Sequence, residues 1–219
     1  TTPQVKNNTN TISTTISNTW ETNSGLTFKL SDKVDMQKVT FKNRYWIELA
    51  WFLFTPKDTW TWKLQAIAIS WPFWAVKEQS SWLYANQMAE KWFVTLAFDP
   101  SYTWESAWEP RDITSPDLNT EDFSAAVDYL WKVELVDREK IWIIWICWFG
   151  WFALNAASVD KRIKAVATSV MYDMSRVMTN WYNDSNTDND RITMLDQYAK
   201  NRWEYIDWTS APQTPSWIM

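Results

Sequence analysis

Ile141-Trp142-Ile143-Ile144-Trp145-Ile146-Cys147-Trp148-Phe149-Gly150-Trp151-Phe152-Ala153-Leu154 decides how this chain is read. The first six residues are apolar and rich in isoleucine, which predicts a strand buried on both faces over 141–146. From 149 to 159 the sequence turns Ala-rich and predicts a helix. Cys147, the one cysteine of the chain, stands at the junction. A strand, a sharp turn and a helix with a nucleophile at the turn is the context of a nucleophile elbow, which lifts one side chain above the end of a sheet. The neighbours of that side chain must be small for the turn to close. Here they are Trp145, Trp148 and Trp151. Against the catalytic reading stands a plain one, since a free cysteine is commonly a small buried hydrophobe.

The mismatch at the elbow recurs throughout the chain. Its 219 residues include 20 Trp and 2 Gly, where ordinary usage near 7% would give about 15 glycines. Trp104 lies in the polar, turn-like run Ser101-Tyr102-Thr103-Trp104-Glu105-Ser106. Trp71 and Trp74 flank Pro72-Phe73 directly after an apolar run. Turns use glycine because it reaches positive φ without a Cβ clash; an indole has no such freedom. A genuinely Trp-rich chain would set its indoles on apolar faces or space them as aromatic platforms. The expectation is therefore that many of these Trp are glycine codons read as Trp, most simply UGA decoded under another genetic code. With glycine restored at 145, 148 and 151 the elbow reads Gly-Ile-Cys-Gly-Phe-Gly-Gly.

Outward from the elbow, strand and helix patterns alternate. Strands are expected at 39–41 and 47–54 as a hairpin, then at 64–70, 93–98, 141–146 and 163–170. Helices are expected at 79–91, from an N-cap at Asn119 or Thr120 through Phe123, Ala126, Val127 and Leu130, at 149–159 and at 188–206. This alternation predicts an α/β fold, a mostly parallel sheet with helices on both faces. Ligand sites then fall at the carboxyl ends of the strands. Residues 1–24, rich in Thr, Asn and Ser, are expected to be a flexible tail. Residues 25–180 would form the core and 181–219 a cap-like helix and loop. The tail favours an extracytoplasmic tether, with a cytoplasmic location or an arbitrary boundary as the alternatives.

Bulk composition limits the chemistry. The net charge of −5 disfavours nucleic acid and anionic membrane as partners. No run approaches the ~20 consecutive apolar residues of a membrane span. One cysteine allows no internal disulfide. Histidine is absent, which removes the usual general base and metal ligand. No ligand cluster calls for a metal or an organic cofactor.

Residues from about 39 to 178 resemble the α/β-hydrolase superfamily, close to its dienelactone-hydrolase-like members. The resemblance is carried by Ser70-Trp71-Pro72-Phe73-Trp74-Ala75-Val76-Lys77-Glu78-Gln79, by Asp99-Pro100-Ser101-Tyr102-Thr103-Trp104-Glu105-Ser106, by the elbow, and by Met171-Tyr172-Asp173-Met174-Ser175-Arg176. In each, Trp occupies a position where those relatives carry glycine.

The resemblance implies a hydrolase of ester, lactone or related acyl bonds, acting on a small-molecule substrate through Cys147. The backbone N–H groups of Trp148 and Phe73 would form the oxyanion hole. Glu78 would sit near Cys147 and influence its ionisation; the alternative is a helix-start acid favoured by the dipole. Asp99 would end its strand structurally. Asp173 would be an orienting acid, although most members place that acid after the next strand. The family's catalytic His follows the last strand, and this chain reaches Met219 without one. The chain is thus expected to be the N-terminal two-thirds of a hydrolase, inactive by itself. Two other classes compete: a non-catalytic α/β binding or structural domain, and a carbohydrate-binding module built on exposed Trp.

Overall fold

Strand and helix alternate as the apolar pattern predicts. The computed structural model describes residues 27–204 apart from 58–61, 71, 73, 74, 110, 113, 148 and 149. Its six strands are β1 (Val34–Lys42), β2 (Glu48–Pro56), β3 (Leu64–Ser70), β4 (Val94–Phe98), β5 (Val136–Ile146) and β6 (Ile163–Ser169). The helices among the described residues are α1 (Ser80–Ala89), α2 (Pro116–Lys132), α3 (Gly150–Val159), α4 (Met174–Asn180) and α5 (Asp188–Glu204). The expected tail lies outside the described residues.

The strands form one sheet in the order β1-β2-β4-β3-β5-β6. β4, β3, β5 and β6 run parallel, and β1 and β2 extend the sheet antiparallel. β3 and β4 are covered on both faces, as parallel strands require. The two-residue alternation of each strand sorts the core into two layers. Ala66, Ala68, Leu96, Phe98, Ile143 and Trp145 meet Phe123, Val127 and Leu130 of α2 and Phe152, Ala153 and Ala156 of α3. On the opposite face Ile67, Ile69, Ala97, Ile144 and Ile146 meet Trp82, Ala85 and Ala89 of α1. The fold is therefore an α/β sheet with helices on both faces. No helix among the described residues is long and apolar enough to cross a membrane.

Several elements differ from the sequence reading, and β1, expected at 39–41, runs from Val34 to Lys42. α2 starts at Pro116 with Ser115 as its N-cap residue, not at Asn119 or Thr120. Proline suits the first helical position, where its fixed φ fits and its missing N–H is not needed. Asn119 instead lies inside the helix, where its side-chain oxygen accepts the Ser115 N–H at 3.1 Å. β5 begins at Val136, because Asp137-Arg138-Glu139-Lys140 hides the strand's start behind charges that face outward. α4 was not anticipated; it is a short helix held by its N-cap, Asp173.

The turns carry the most unusual backbone. Among the described residues, eleven non-glycine residues have positive φ, and five are tryptophans: Trp46, Trp92, Trp104, Trp108 and Trp181. All five are exposed. Trp92 follows α1 with φ 70°; its N–H donates to the Ala89 carbonyl (3.1 Å) and the Phe93 N–H to the Met88 carbonyl (3.2 Å). That pair of bonds is the Schellman closure, whose left-handed residue is usually glycine. Trp46, at φ 65°, closes the β1–β2 hairpin by donating to the Asn43 carbonyl at 3.0 Å. This left-handed position after a turn is again a glycine site. Trp181 has φ 61° and ψ −171°, a region populated essentially by glycine alone.

Tryptophans inside elements behave differently. Trp51 stacks on Phe98 with centroids 4.0 Å apart, and Trp82 meets Phe54 edge-on at 5.0 Å. Both indole N–H groups are nevertheless buried without an acceptor, an omission that buried Trp normally avoids.

Candidate active site

Cys147 immediately follows β5 and precedes α3 by a tight turn. Its φ is 72°, the strained left-handed conformation that lets an elbow residue leave the strand's alternation. Its N–H donates to the Ser169 carbonyl at the end of β6 (2.7 Å), and its carbonyl accepts the Gly150 N–H (3.2 Å). The thiol is half-buried and packs on the side of the sheet that carries α1. Tyr84 of α1 donates its hydroxyl to Ser169 Oγ at 3.3 Å, so α1, β6 and the elbow meet at one point.

Gly150 opens α3 under pressure from the next loop. A Cβ there would lie 2.4 Å from Met171 Cγ, so the segment after β6 closes directly on the helix start. Val170, at φ 49°, bends the chain into that contact. It is β-branched, and such residues rarely adopt that conformation.

Trp145, expected as a glycine position, sits in regular strand backbone and is buried. Its ring lies 4.7 Å from Phe123 and 5.9 Å from Phe152. Backbone conformation alone therefore does not call for glycine at 145. Trp151 likewise lies within α3. Trp148 and Phe73, the expected oxyanion donors, lie outside the described residues.

The acids of the sequence reading have other immediate partners. Asp173 is exposed and caps α4, accepting the Arg176 N–H (3.0 Å) and the Ser175 hydroxyl (2.7 Å). These bonds hold its carboxyl below the ordinary carboxylate range. Glu78 pairs with its neighbour Lys77, Oε1 to Nζ, at 2.9 Å.

Lys77 is the residue that the sequence reading passed over. Its side chain is 1% exposed, and its ammonium also meets Asp99 Oδ2 at 2.7 Å and Glu105 Oε2 at 2.6 Å. The ammonium stands 5.0 Å from the centre of the Phe52 ring. Burial works against the charge, but Asp99, Glu105 and Glu78 outweigh it and hold the ammonium above its ordinary pKa. Asp99, fully buried after β4, is pushed up to about 6 by burial, against the pull of Lys77. Glu105 is partly buried, which raises it, but hydrogen bonds from Lys77 and Lys38 leave it below its usual value. The sequence signal is a lysine three residues before a helix and after a mostly apolar strand.

A second buried carboxylate lies at the start of α2. Asp122 accepts from Asn43 Nδ2 (2.9 Å), Ser101 Oγ (2.7 Å), the Ser101 N–H (2.9 Å) and Asn119 Nδ2 (3.3 Å). Burial raises it to about 6 despite those four donors. Among the described residues, no group of three or more His, Cys, Asp or Glu is placed to hold a metal ion.

The mostly parallel sheet with a tight turn after β5 is a fold that this chain shares with solved structures of α/β hydrolases. The chain is 55% identical over 199 residues to the uncharacterized protein PA2218 of Pseudomonas aeruginosa, covering 87% of this chain and 54% of that protein. The crystal structure of PA2218 superposes with a TM-score of 0.82 at 52% identity, over 91% of this chain and 61% of the crystallised one. The α/β hydrolase GrgF of Penicillium sp. sh18 shares the fold with a TM-score of 0.66 at 20% identity, over 84% of this chain and 63% of its own. An acetyl xylan esterase of Paenibacillus sp. R4 does so with a TM-score of 0.56 at 16% identity, over 81% of this chain and 60% of its own. The chain thus spans about half the length of PA2218. No family model matches it.

Proposed function

We propose that this chain is the nucleophile-bearing part of an acyl hydrolase in which Cys147 accepts the acyl group of an ester, lactone or related small molecule. The observation that carries the reading is Cys147 at φ 72° between β5 and α3. A buried structural thiol needs no such strain, whereas an elbow nucleophile does. Structural neighbours named as a hydrolase and an esterase agree with it. In the reaction the thiolate attacks the acyl carbon and a C–S bond forms. The carbonyl oxygen collects the negative charge, and backbone N–H groups of Trp148 and Phe73 would stabilise it. The C–O bond then breaks with its electron pair going to the alkoxide oxygen, which takes a proton from water; the alcohol leaves, or in a lactone stays tethered to the acyl group. Release of the acyl group by water needs a general base, and this chain holds no histidine.

The same reading takes Trp46, Trp92, Trp104, Trp108 and Trp181 as glycine positions of the parent protein. Each holds, on an exposed turn, a backbone conformation that glycine adopts without strain. It extends to Trp145, Trp148 and Trp151 on the elbow motif alone.

The experiment is acylation of the chain by p-nitrophenyl acetate at neutral pH. One equivalent of p-nitrophenolate is released without turnover, and mass spectrometry finds one acetyl group, on Cys147. Cys147→Ala releases none above background. A thiol that reacts no faster than glutathione sinks the reading and leaves a non-catalytic α/β domain in its place.

A further inference from the structure

Cys147 is held on both sides of its strained backbone. Its N–H donates to the Ser169 carbonyl at 2.7 Å, and its carbonyl accepts the Gly150 N–H at 3.2 Å. Both bonds lean on the end of β6. Ser169 is the last residue of that strand, and Met171, two residues on, closes on Gly150. A residue at φ 72° keeps that conformation only while its surroundings over-determine it.

β6 itself is loosely held. Among the described residues it pairs only with β5, and Lys164, Ala165, Ala167 and Thr168 are exposed. Burial therefore does little to fix its carboxyl end. Tyr84 of α1 supplies a tether, donating its hydroxyl to Ser169 Oγ at 3.3 Å. α1 packs on β4, β3 and β2, and β5 stands between β3 and β6. Strands lie about 4.8 Å apart, so a side chain that runs from α1 to the end of β6 crosses the end of β5. Ile146, the register partner of Ser169, is there, and Cys147 follows it. Tyr84, Ile146 and Cys147 belong to the same layer of packing. One hydroxyl thus joins α1 to the residue whose carbonyl holds the Cys147 N–H.

We infer that Tyr84 is a positioning residue for acyl transfer at Cys147: through Ser169 it fixes the end of β6, and with it the backbone of the elbow. The inference rests on the reading of Cys147 as acyl acceptor. Tyr84 acts through Ser169 and not on the substrate. Without its hydroxyl the Ser169 carbonyl shifts with the strand end, and the thiol leaves the geometry in which it meets the acyl carbon. A displacement of about 1 Å is enough to slow such a step.

The quantity to measure is the rate of Cys147 acylation by p-nitrophenyl acetate in the full chain. Tyr84→Phe removes the donor and keeps the ring. It lowers the limiting rate about three- to ten-fold, the worth of one neutral hydrogen bond. The half-saturating ester concentration and the pH midpoint of the reaction stay where they are, since neither ester binding nor thiol ionisation is touched. Ser169→Ala removes the acceptor, keeps the backbone carbonyl and gives the same loss. The double variant is no slower than either single one, because both cut the same link. Ser169→Thr keeps a hydroxyl and most of the rate. A Tyr84→Phe rate equal to that of the wild type, or losses that multiply in the double variant, overturn the inference. So does a fall in the urea midpoint at unchanged rate, which is what a merely structural bond gives. If Tyr84→Phe does not fold, Ser169→Ala against Ser169→Thr decides, and equal rates in those two overturn the inference equally. A wild-type chain that p-nitrophenyl acetate acylates no faster than glutathione refutes the acyl-transfer reading first, before any variant is compared, and Tyr84 loses this role with it.

Discussion

Replacing Trp46, Trp92, Trp104, Trp108 and Trp181 together by glycine raises the unfolding free energy of this chain by about 5 kcal/mol. Each L-residue held in the left-handed region costs about 1–2 kcal/mol, and Trp181, at φ 61° and ψ −171°, occupies a region costlier still for anything but glycine. Glycine gives back about 0.5–1 kcal/mol per site through the freedom of the unfolded chain, which is smaller than the strain it relieves. Trp46, Trp92 and Trp181 are on separate turns, so their gains should add, whereas Trp104 and Trp108 share one loop and the Arg111 guanidinium and are coupled. Against a total stability of about 5–15 kcal/mol, the change is of the order of the whole. Urea unfolding followed by circular dichroism measures it. The same five positions changed to alanine form the control, because alanine removes the exposed ring but keeps the Cβ. Gains equal to those of glycine would mean that ring exposure and not backbone conformation was being relieved, and the glycine assignment would fail.

Asp122 makes the stability of the fold depend on pH in an unusual direction. Its carboxyl titrates at about 6 in the folded chain against an ordinary 3.8. Between those values the folded state keeps a proton that the unfolded state has lost. The contribution to stability is therefore full below about pH 4, falls as pH rises, and levels off above about pH 6. About two pKa units correspond to about 3 kcal/mol. Asp99 adds a fall over the same window, so the two must be separated. The groups that contact Asp122, Asn43, Ser101 and Asn119, are all uncharged. Asp122→Asn removes this titration and leaves that of Asp99. The difference in unfolding free energy, wild type minus variant, falls by about 2 kcal/mol from pH 4 to pH 6.5. Parallel profiles would show that Asp122 titrates normally.

The architecture was legible in the sequence because each strand carries its own signal. The 64–70 and 93–98 runs are almost continuously apolar, and the elbow sits between an isoleucine-rich strand and an Ala-rich helix. Local signals failed where charge or proline masked the pattern, at the starts of β5 and α2. Asp99 could be read as a strand-end acid, but neither its partners nor those of Asp122 could be read. Asp122 is held by Asn43, 79 residues away, and Lys77 meets Asp99 across 22; only the folded sheet brings such partners together. Sequence could place tryptophans in turns but could not tell Trp92, in a left-handed helix cap, from Trp145, in regular strand backbone. The backbone angles separate them.

β6 is the outermost strand of the described sheet, and Lys164, Ala165, Ala167 and Thr168 along it are exposed. Only β5 pairs with it among the described residues, so half of its ladder of amides and carbonyls stands open. Such an edge is a template on which any extended segment can crystallise, including one from a second molecule. Lys164 is the only charge along the strand, and it is drawn sideways to Glu139 at 3.1 Å, which weakens it as a guard. Protein concentration is therefore the variable to watch in handling this chain, since the first failure to be met is stacking of molecules edge upon edge.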